Sequence, residues 1–409
     1  MKEPGRAAQW LSRLALLLLS LLLAELSLRA LGLAIPRIHA LTGPRRTMTR
    51  LIPQPVLGSG GNPEFPEHDE RGFRNSSALH RAQIVALGDS QTYGTSGRAE
   101  HAWPAVLERK RGTAVYNMGL GGYGAAHNVE NLATALGLNP DFVIFALYFG
   151  NDFADDFRFA LSNGRLSTII SLQAVEKVAG LERESPLADE VRFLFTRGRD
   201  GEGGARTGQA GRRLLRWLSE HIRLFGLLRE FKERFAGRHE SPLLHRDFET
   251  ARTSLTDRQL SFVSPFDGGE WKTILTAPYR LRVMDDSDPR IRAGIEVTKH
   301  MLRRMRKRVV EAGAEYLVLL VPTKEYVFWP KVESPADHPM LEALVETEAR
   351  LHEELEVFLR SEGIRYVDPS PALRSSVEQP YFANRDGHPN RRGHEIIARE
   401  VLRQLTLRP

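Results

Sequence analysis

Five short apolar runs, each followed by residues typical of turns, most strongly constrain what this chain can fold into. They are IVALG (84–88), AVYNMG (114–119), FVIFALY (142–148), YLVLLV (316–321) and RYVD (365–368). Runs that are apolar on both faces predict parallel strands covered by helices on both sides. Amphipathic helical patterns follow over 291–309, 340–359 and 396–405. The sequence therefore predicts a three-layer α/β/α protein with a doubly wound, five-stranded parallel sheet, in which sites form beyond the carboxyl ends of the strands.

Composition narrows the class of protein. The 409 residues are 42% hydrophobic and 26% charged, which supports a sizeable core and excludes wholesale disorder. The lack of cysteine excludes disulfides, thiolate-ligated metals and a cysteine nucleophile. The net charge, 57 Lys and Arg minus 51 Asp and Glu, is +6, too small for this length to indicate nucleic-acid binding. We therefore expect no nucleic-acid partner.

The N-terminus predicts a membrane segment. Leu14–Ala24 reads LALLLLSLLLA and follows three basic residues, a pattern typical of export signals. Apolar character resumes after Glu25 and Arg29, and Leu14–Ala34 as one helix would be about 30 Å long, one hydrocarbon thickness. We predict that residues 1–36 form an uncleaved signal anchor, a transmembrane helix that binds the membrane and leaves the catalytic domain periplasmic or otherwise outside the cytoplasm. A cleaved signal peptide and a soluble hydrophobic helix are the alternatives, and arginines on both sides leave the orientation open.

Turn-rich and low-complexity stretches divide the remainder of the chain. Residues 37–80, rich in Pro, Gly and Asn, are predicted to form an irregular connector. Residues 81–409 form the α/β domain, interrupted by a helical insertion over 153–290. Within the insertion, 197–213 is a low-complexity stretch predicted to be disordered, and 214–235 is predicted to be a basic amphipathic helix. We expect this helix to pack on the domain as a lid, the alternative being a place on an anionic membrane surface.

Small and polar residues follow the predicted strands, whose carboxyl ends meet at one edge of the sheet. Ser90 lies in GDSQTYG after the first strand, and NMGLGGYG after the second contains four glycines that leave backbone N–H groups available. Asn151 follows the third strand in GND, and the C-terminal loop DGHPN holds Asp386 and His388. A nucleophilic serine needs a base, the base needs an orienting carboxylate, and the oxyanion needs donors. These residue types predict Ser90 as nucleophile, His388 as base and Asp386 as its orienting group.

In this order the four blocks resemble those of the SGNH hydrolases, the GDSL-type esterases and lipases. The resemblance covers the sheet-forming parts of the chain and leaves out the N-terminal segment and the insertion. It implies a flavodoxin-like strand order and an acyl-serine mechanism without a metal or cofactor. It also implies that Ser90, Gly122 and Asn151 form the oxyanion hole, with His388 as general base and Asp386 as the residue that orients it.

Two positions depart from the pattern of this family. The glycine usually found two residues before the asparagine is Phe149 here, which predicts an altered rim of the site. The orienting acid usually lies three residues before the histidine, where this chain has Arg385. The shorter DxH form looks similar to that of membrane-linked members that handle polysaccharide acyl groups. His394 is the competing base, although its place at a helix start is explained more simply by capping or packing.

Several functions are compatible with these residues. The first is a serine esterase that hydrolyses O-acyl esters, with an O-acylated glycan of the cell envelope as a candidate substrate. O-acyl transfer to an envelope polysaccharide is the alternative, because both reactions share the acyl-serine intermediate. A non-catalytic carbohydrate-binding or assembly protein on the same frame is a further alternative. A two-metal phosphoesterase would use a set of Asp, Asn and His ligands, but it normally needs an earlier Asp-x-His that the chain lacks. That set would be Asp89, Asn151, Asp152, His388 and His394.

Overall fold

The structure, a computed structural model, describes residues 6–34, 49–187, 222–223 and 247–406. These residues belong to two units. Residues 6–34 and 222–223 lie in the first unit, and the other described residues lie in the second. Apart from residues 222–223, the low-complexity stretch and the basic helix predicted over 197–235 lie outside the described residues.

Helix α1 (Arg6–Ala34) contains the apolar N-terminal run. Glu25 and Arg29 interrupt the apolar sequence of this helix, and Arg29 Nε donates to Glu25 Oε1 at 2.8 Å. Charged side chains are costly in hydrocarbon. Within the ranges that the structure describes, no helix combines the length and the apolarity needed to cross a membrane. The transmembrane helix predicted over Leu14–Ala34 is therefore not found.

The second unit is built on a five-stranded parallel sheet with two separate hairpins. The described strands are β1 (Leu51–Gln54), β2 (Gly58–Gly61), β3 (Ile84–Leu87), β4 (Val115–Asn117), β5 (Phe142–Tyr148), β6 (Ser264–Gly268), β7 (Trp271–Leu275), β8 (Glu315–Val321) and β9 (Arg365–Val367). The parallel sheet has the order β4-β3-β5-β8-β9. Counted along the chain this is 2-1-3-4-5, the flavodoxin-like doubly wound order. The predicted five-stranded parallel sheet is thus confirmed, and its first strand lies between the second and third.

Helices cover both faces of this sheet. The remaining described α-helices are α2 (Ser90–Tyr93), α3 (Trp103–Arg111), α4 (Ala125–Leu136), α5 (Asp152–Ser162), α6 (Leu172–Glu184), α7 (Phe248–Thr253), α8 (Asp257–Leu260), α9 (Ala277–Arg282), α10 (Pro289–Glu311), α11 (Lys324–Phe328), α12 (Pro339–Ser361), α13 (Ser370–Arg374) and α14 (Arg391–Thr406). Helices α4, α5 and α10 pack together, and α3 packs with α14. Strand β3 is buried along its whole length, as a strand covered on both faces must be.

Helix α10 illustrates how the sequence pattern produces the layers. Its apolar stripe is wholly buried, as the periodicity predicts. Asp288 caps the helix by accepting a hydrogen bond from Arg290 N at 2.8 Å, and a proline fills its first position. On the opposite face, Arg303, Arg304, Arg306 and Lys307 are exposed, and Arg303 forms an ion pair with Glu362 at 2.9 Å. The basic cluster of this helix is therefore a solvated face, as predicted.

Part of the segment predicted as an irregular connector is folded. Strands β1 and β2 form an antiparallel hairpin, and Tyr123 donates its hydroxyl proton to Ser59 O at 2.6 Å. Tyr116 likewise donates to Asp69 Oδ2 at 2.6 Å, beside the edge strand β4. These bonds join residues far apart in the chain, so local composition could not reveal them.

The end of the predicted insertion also belongs to the domain. Strands β6 and β7 form an antiparallel hairpin. Trp271 is buried against Phe328 at a ring separation of 4.9 Å, and its indole N–H donates to Val377 O at 3.1 Å. The hairpin therefore packs against α11 and the C-terminal segment that precedes the last helix.

Candidate active site

Ser90 lies at the carboxyl end of β3, as the first residue of α2. Asp89 caps this short helix, because its Oδ1 accepts from Gln91 N at 2.8 Å. Gln91 is buried, whereas the Ser90 residue is partly exposed. The strand-to-helix turn thus presents the Ser90 hydroxyl at the edge of the sheet where a ligand can reach it.

The C-terminal loop brings an imidazole to this hydroxyl. His388 Nε2 lies 2.8 Å from Ser90 Oγ, although the residues are 298 positions apart. His388 Nδ1 lies 2.5 Å from Asp386 Oδ1, which also accepts from His388 N at 3.1 Å. Asp89 Oδ2 is a second acceptor for the Ser90 proton, at the longer distance of 3.2 Å. The structure therefore assembles Ser90, His388 and Asp386 in one hydrogen-bonded chain.

The charge of Asp386 decides which nitrogen of His388 carries a proton. Burial favours the neutral acid, but the charge and hydrogen bond of His388 outweigh it and hold the pKa of Asp386 below its usual value. An ionised carboxylate can only accept, so the proton lies on Nδ1 and Nε2 is left to accept from serine. This arrangement has the direction of proton transfer that a serine nucleophile needs.

The glycine-rich loop after β4 lies beside Ser90. Gly122 has a φ of +81°, a conformation that a side chain would strain. A Cβ atom placed on Gly121 would lie 3.9 Å from the Cβ of Ser90, an ordinary van der Waals contact. The loop therefore passes close to the candidate nucleophile. The loop thus places backbone next to Ser90, where an N–H donor to an oxyanion is needed.

Asn151 begins helix α5 at the end of the neighbouring strand β5. Its Nδ2 donates to Asp155 Oδ2, and Asp155 in turn pairs with Arg158. A side-chain amide has two protons, so one remains for a ligand. The bond to Asp155 holds the amide in a fixed orientation, which is the preorganisation that oxyanion stabilisation depends on.

Buried carboxyl groups lie beneath the site. Burial raises the pKa of Asp89 to about 6 and that of Asp156 to about 7. The pKa of Asp152 is raised well above its usual value, first by burial and then by the charge of Asp89. Each of these carboxyls accepts a backbone N–H, for example Asp152 from Tyr148 N at 2.9 Å. They therefore have structural partners of their own.

Metal-ligand geometry occurs at a different place. Among the described residues, one group of three side chains has ligand atoms within 4.8 Å of one another, namely His352, Glu356 and Asp368. None of them belongs to the ligand set of the phosphoesterase alternative. The structure thus does not gather that set into one group, and His388 is engaged with Ser90 instead.

The structure places two residues about which the sequence raised questions. Phe149 is fully buried and stacks on His352 with a ring separation of 3.9 Å. Its ring therefore packs in the core behind the end of β5, and the altered shape of the rim stays a prediction. His394 is also buried, neither of its ring nitrogens has a hydrogen-bond partner among the described residues, and burial lowers its pKa to about 3. His394 therefore packs as a neutral ring on the buried face of α14.

Two buried cations that were not singled out from the sequence support the loops of this site. Arg280 Nη1 donates to Gly150 O at 3.1 Å, and Lys324 Nζ donates to Asp386 O at 2.9 Å. The available signal was a lysine directly after a buried strand, in VPTKEY. A solvated lysine would have explained that pattern equally well.

Comparisons with known proteins add the following. Residues 282–409 match the family model described as "SGNH hydrolase-like domain, acetyltransferase AlgX". That range includes Lys324, Asp386 and His388 but not Ser90. No curated protein matches the chain.

Two solved structures are similar to the chain. One is a protein assigned to the lipolytic G-D-S-L family from Desulfitobacterium hafniense DCB-2, with 12% identity and a TM-score of 0.35 over 79% of this chain and 99% of that one. The other is a GDSL-like lipase from Bacteroides thetaiotaomicron VPI-5482, with 9% identity and a TM-score of 0.32 over 79% of this chain and 86% of that one. Identities and TM-scores as low as these give no information about the activity of this chain.

Proposed function

We propose that this chain is a serine esterase of the SGNH hydrolase superfamily, which cleaves O-acyl esters through an acyl-enzyme at Ser90. The match of residues 282–409 to an SGNH hydrolase-like family model supports the superfamily. The observation that carries the proposal is the contact of 2.8 Å between His388 Nε2 and Ser90 Oγ. A hydrogen bond of this length joins a nucleophile to its base in acyl-transfer enzymes. The buried carboxylate of Asp386 supports the proposal because it holds the imidazole in the accepting tautomer.

The proposed reaction follows from these contacts. Ser90 Oγ forms a bond to the acyl carbon while its proton passes to His388 Nε2, and the former carbonyl oxygen becomes an oxyanion. The N–H of Gly122, the backbone N–H of Ser90 and the amide of Asn151 are the proposed donors to that oxyanion. The ester C–O bond then breaks, and the leaving alkoxide takes the proton from His388. Water then gives a proton to the same nitrogen, and its oxygen forms a bond to the acyl carbon. The bond between that carbon and Ser90 Oγ breaks, Oγ takes the proton from His388, and the acyl group leaves as a carboxylic acid.

A fluorophosphonate probe tests this proposal directly, because it reacts with an activated serine. We expect the intact protein to be labelled and to hydrolyse an acyl aryl ester. We expect Ser90→Ala to do neither, while a matched exposed serine variant, Ser375→Ala, behaves as wild type. Failure of the wild-type protein to react in both assays would refute the esterase proposal and favour a non-catalytic carbohydrate-binding or assembly role.

Acyl transfer to a carbohydrate hydroxyl is the second candidate. The matching family model carries the description of an acetyltransferase, which favours it. The two reactions differ only in whether water or a sugar hydroxyl attacks the acyl-serine. Incubation with an acyl aryl ester, with and without an oligosaccharide, followed by mass spectrometry, separates them. Acylated sugar supports transfer, and free carboxylic acid alone supports hydrolysis.

We further propose that the enzyme acts outside the cytoplasm on O-acylated envelope glycans. The support is the N-terminal pattern of basic residues followed by LALLLLSLLLA, which is typical of export signals. Fractionation of cells that produce the full chain, compared with a chain lacking residues 1–36, tests this. Recovery of both proteins in the cytoplasm would refute export.

A further inference from the structure

Lys324 is a buried cation next to the candidate active site. It is the first residue of α11, directly after β8, and its side chain has no exposed surface. A buried ammonium is costly unless oxygen atoms surround it. Its presence in the core therefore calls for a specific set of acceptors.

Four oxygen atoms surround the ammonium group of Lys324. Its Nζ lies 2.7 Å from Asn384 O and 2.9 Å from Asp386 O, both in the C-terminal loop. It lies 2.9 Å from Ile274 O and 3.1 Å from Thr273 Oγ1, both in β7. An ammonium has three protons, so these acceptors use its whole donor capacity. Lys324 thus connects the C-terminal loop to strand β7.

A second contact strengthens the same connection. The hydroxyl of Thr273 lies 3.0 Å from Asn384 O and 2.8 Å from Phe382 O. Within the loop, Asp386 N donates to Asn384 Oδ1 at 2.8 Å. The backbone on the N-terminal side of His388 is therefore held at several points. The backbone carbonyl of Asp386 accepts a hydrogen bond from Lys324, and its carboxylate binds the imidazole of His388.

We propose that Lys324 is a positioning residue, which fixes the Asp386–His388 loop on β7 so that the imidazole reaches Ser90. This inference rests on the proposed serine mechanism. Lys324 forms no hydrogen bond to Ser90, to the imidazole or to the Asp386 carboxylate, so it holds the loop through backbone carbonyls. Its charge also helps to keep the pKa of Asp386 below the usual value. Loosening the loop by about 1 Å would lower the rate by about 10²-fold, because near-attack geometry is lost.

The charge state of Lys324 makes the role measurable. Burial, together with the charge of Arg280 on α9, lowers its pKa to about 8, although the charges of Glu325 on its own helix and Asp386 in the loop raise it. Strand β7 contributes neutral acceptors only, Thr273 Oγ1 and Ile274 O. Above pH 8 the neutral amine retains two protons and no charge, so the loop loses part of its support. Wild-type reactivity should therefore decline as the pH rises through about 8.

The test measures the rate constant of fluorophosphonate labelling between pH 6 and 9.5 on the full chain. Lys324→Met should lower the rate at pH 7.5 by about 10²-fold and lack the decline near pH 8. Lys272→Met is the matched control, because Lys272 lies on the same hairpin but forms an exposed ion pair with Asp267 at 2.9 Å. It should keep the wild-type rate and profile.

A second variant keeps the inference testable if Lys324→Met does not fold. Thr273→Val preserves the shape of the side chain and removes one acceptor, so it should move the alkaline midpoint to lower pH. Hydrogen–deuterium exchange of peptides covering 382–390 should be faster in both variants than in wild type. Unchanged exchange and an unchanged labelling profile would overturn the positioning role. Absence of wild-type labelling would instead refute the serine mechanism, and the exchange data would still decide whether Lys324 holds the loop.

Discussion

Replacing Asp386 by Asn perturbs the candidate site with the smallest change of shape. The Oδ1 atom accepts two N–H groups of His388, from the ring at 2.5 Å and from the backbone at 3.1 Å. An asparagine offers either a weaker neutral acceptor or an amide donor, which would move the imidazole proton to Nε2 and block transfer from Ser90. The same exchange in a serine triad costs about 10⁴ in kcat. We therefore expect a loss of about 5 kcal/mol of transition-state stabilisation.

Turnover of an acyl aryl ester and the rate of fluorophosphonate labelling both measure this loss. Asp368→Asn is the control, because that carboxylate lies at the end of β9 and accepts from Ser370 N at 2.8 Å, away from the imidazole. It should retain the wild-type rate. Thermal unfolding of both variants shows whether they fold. If Asp386→Asn keeps more than a tenth of the wild-type rate, another group orients His388 and the reasoning fails.

Three further predictions follow from the site and its surroundings. Asn151→Ala should lower turnover by about 10²–10³-fold with a small change in melting temperature, and a collapse of the fold would reveal a structural role instead. Asp156→Asn should be more stable than wild type at pH 7–8, because the raised pKa of Asp156, about 7, means that wild type loses stability as the pH rises from about 4 to 7. If the melting temperature of Asp156→Asn depends on pH in the same way as that of wild type, this prediction is wrong. His394→Phe should retain labelling within a few-fold, whereas His388→Ala should lose it, and the reverse result would make His394 the base.

Local patterns were sufficient to predict the sheet and the residues at its edge. The runs IVALG and FVIFALY became β3 and β5 because a strand covered on both faces must be apolar throughout. Ser90 and Asn151 were predictable as site candidates because they follow such strands at the edge of the sheet where ligands bind. His388 was predictable because the DGHPN loop offers a base beside a carboxylate. The order of the strands was implied by the resemblance to the SGNH hydrolases.

Contacts between distant segments explain what the sequence patterns did not reveal. The connector and the end of the insertion have turn-rich compositions, yet Asp69 and Trp271 bind to strands and loops far away in the chain. The stacking of Phe149 on His352 is a contact of the same kind, because the two residues are far apart in the chain. A sequence pattern records which residues are apolar, and it does not record which neighbour each one meets.

The amino-acid sequence alone determined the layered architecture and the choice of Ser90 as the candidate nucleophile, because both depend on periodicity and on residues adjacent in the chain. Only the tertiary structure decided that His388 reaches Ser90 over 298 positions, that Asp386 is the carboxylate behind it, and that Lys324 is buried beneath their loop. The physical reason is that a buried charge is stable only when acceptors from several segments converge on it. Such convergence arises from packing, and no single stretch of the chain contains it.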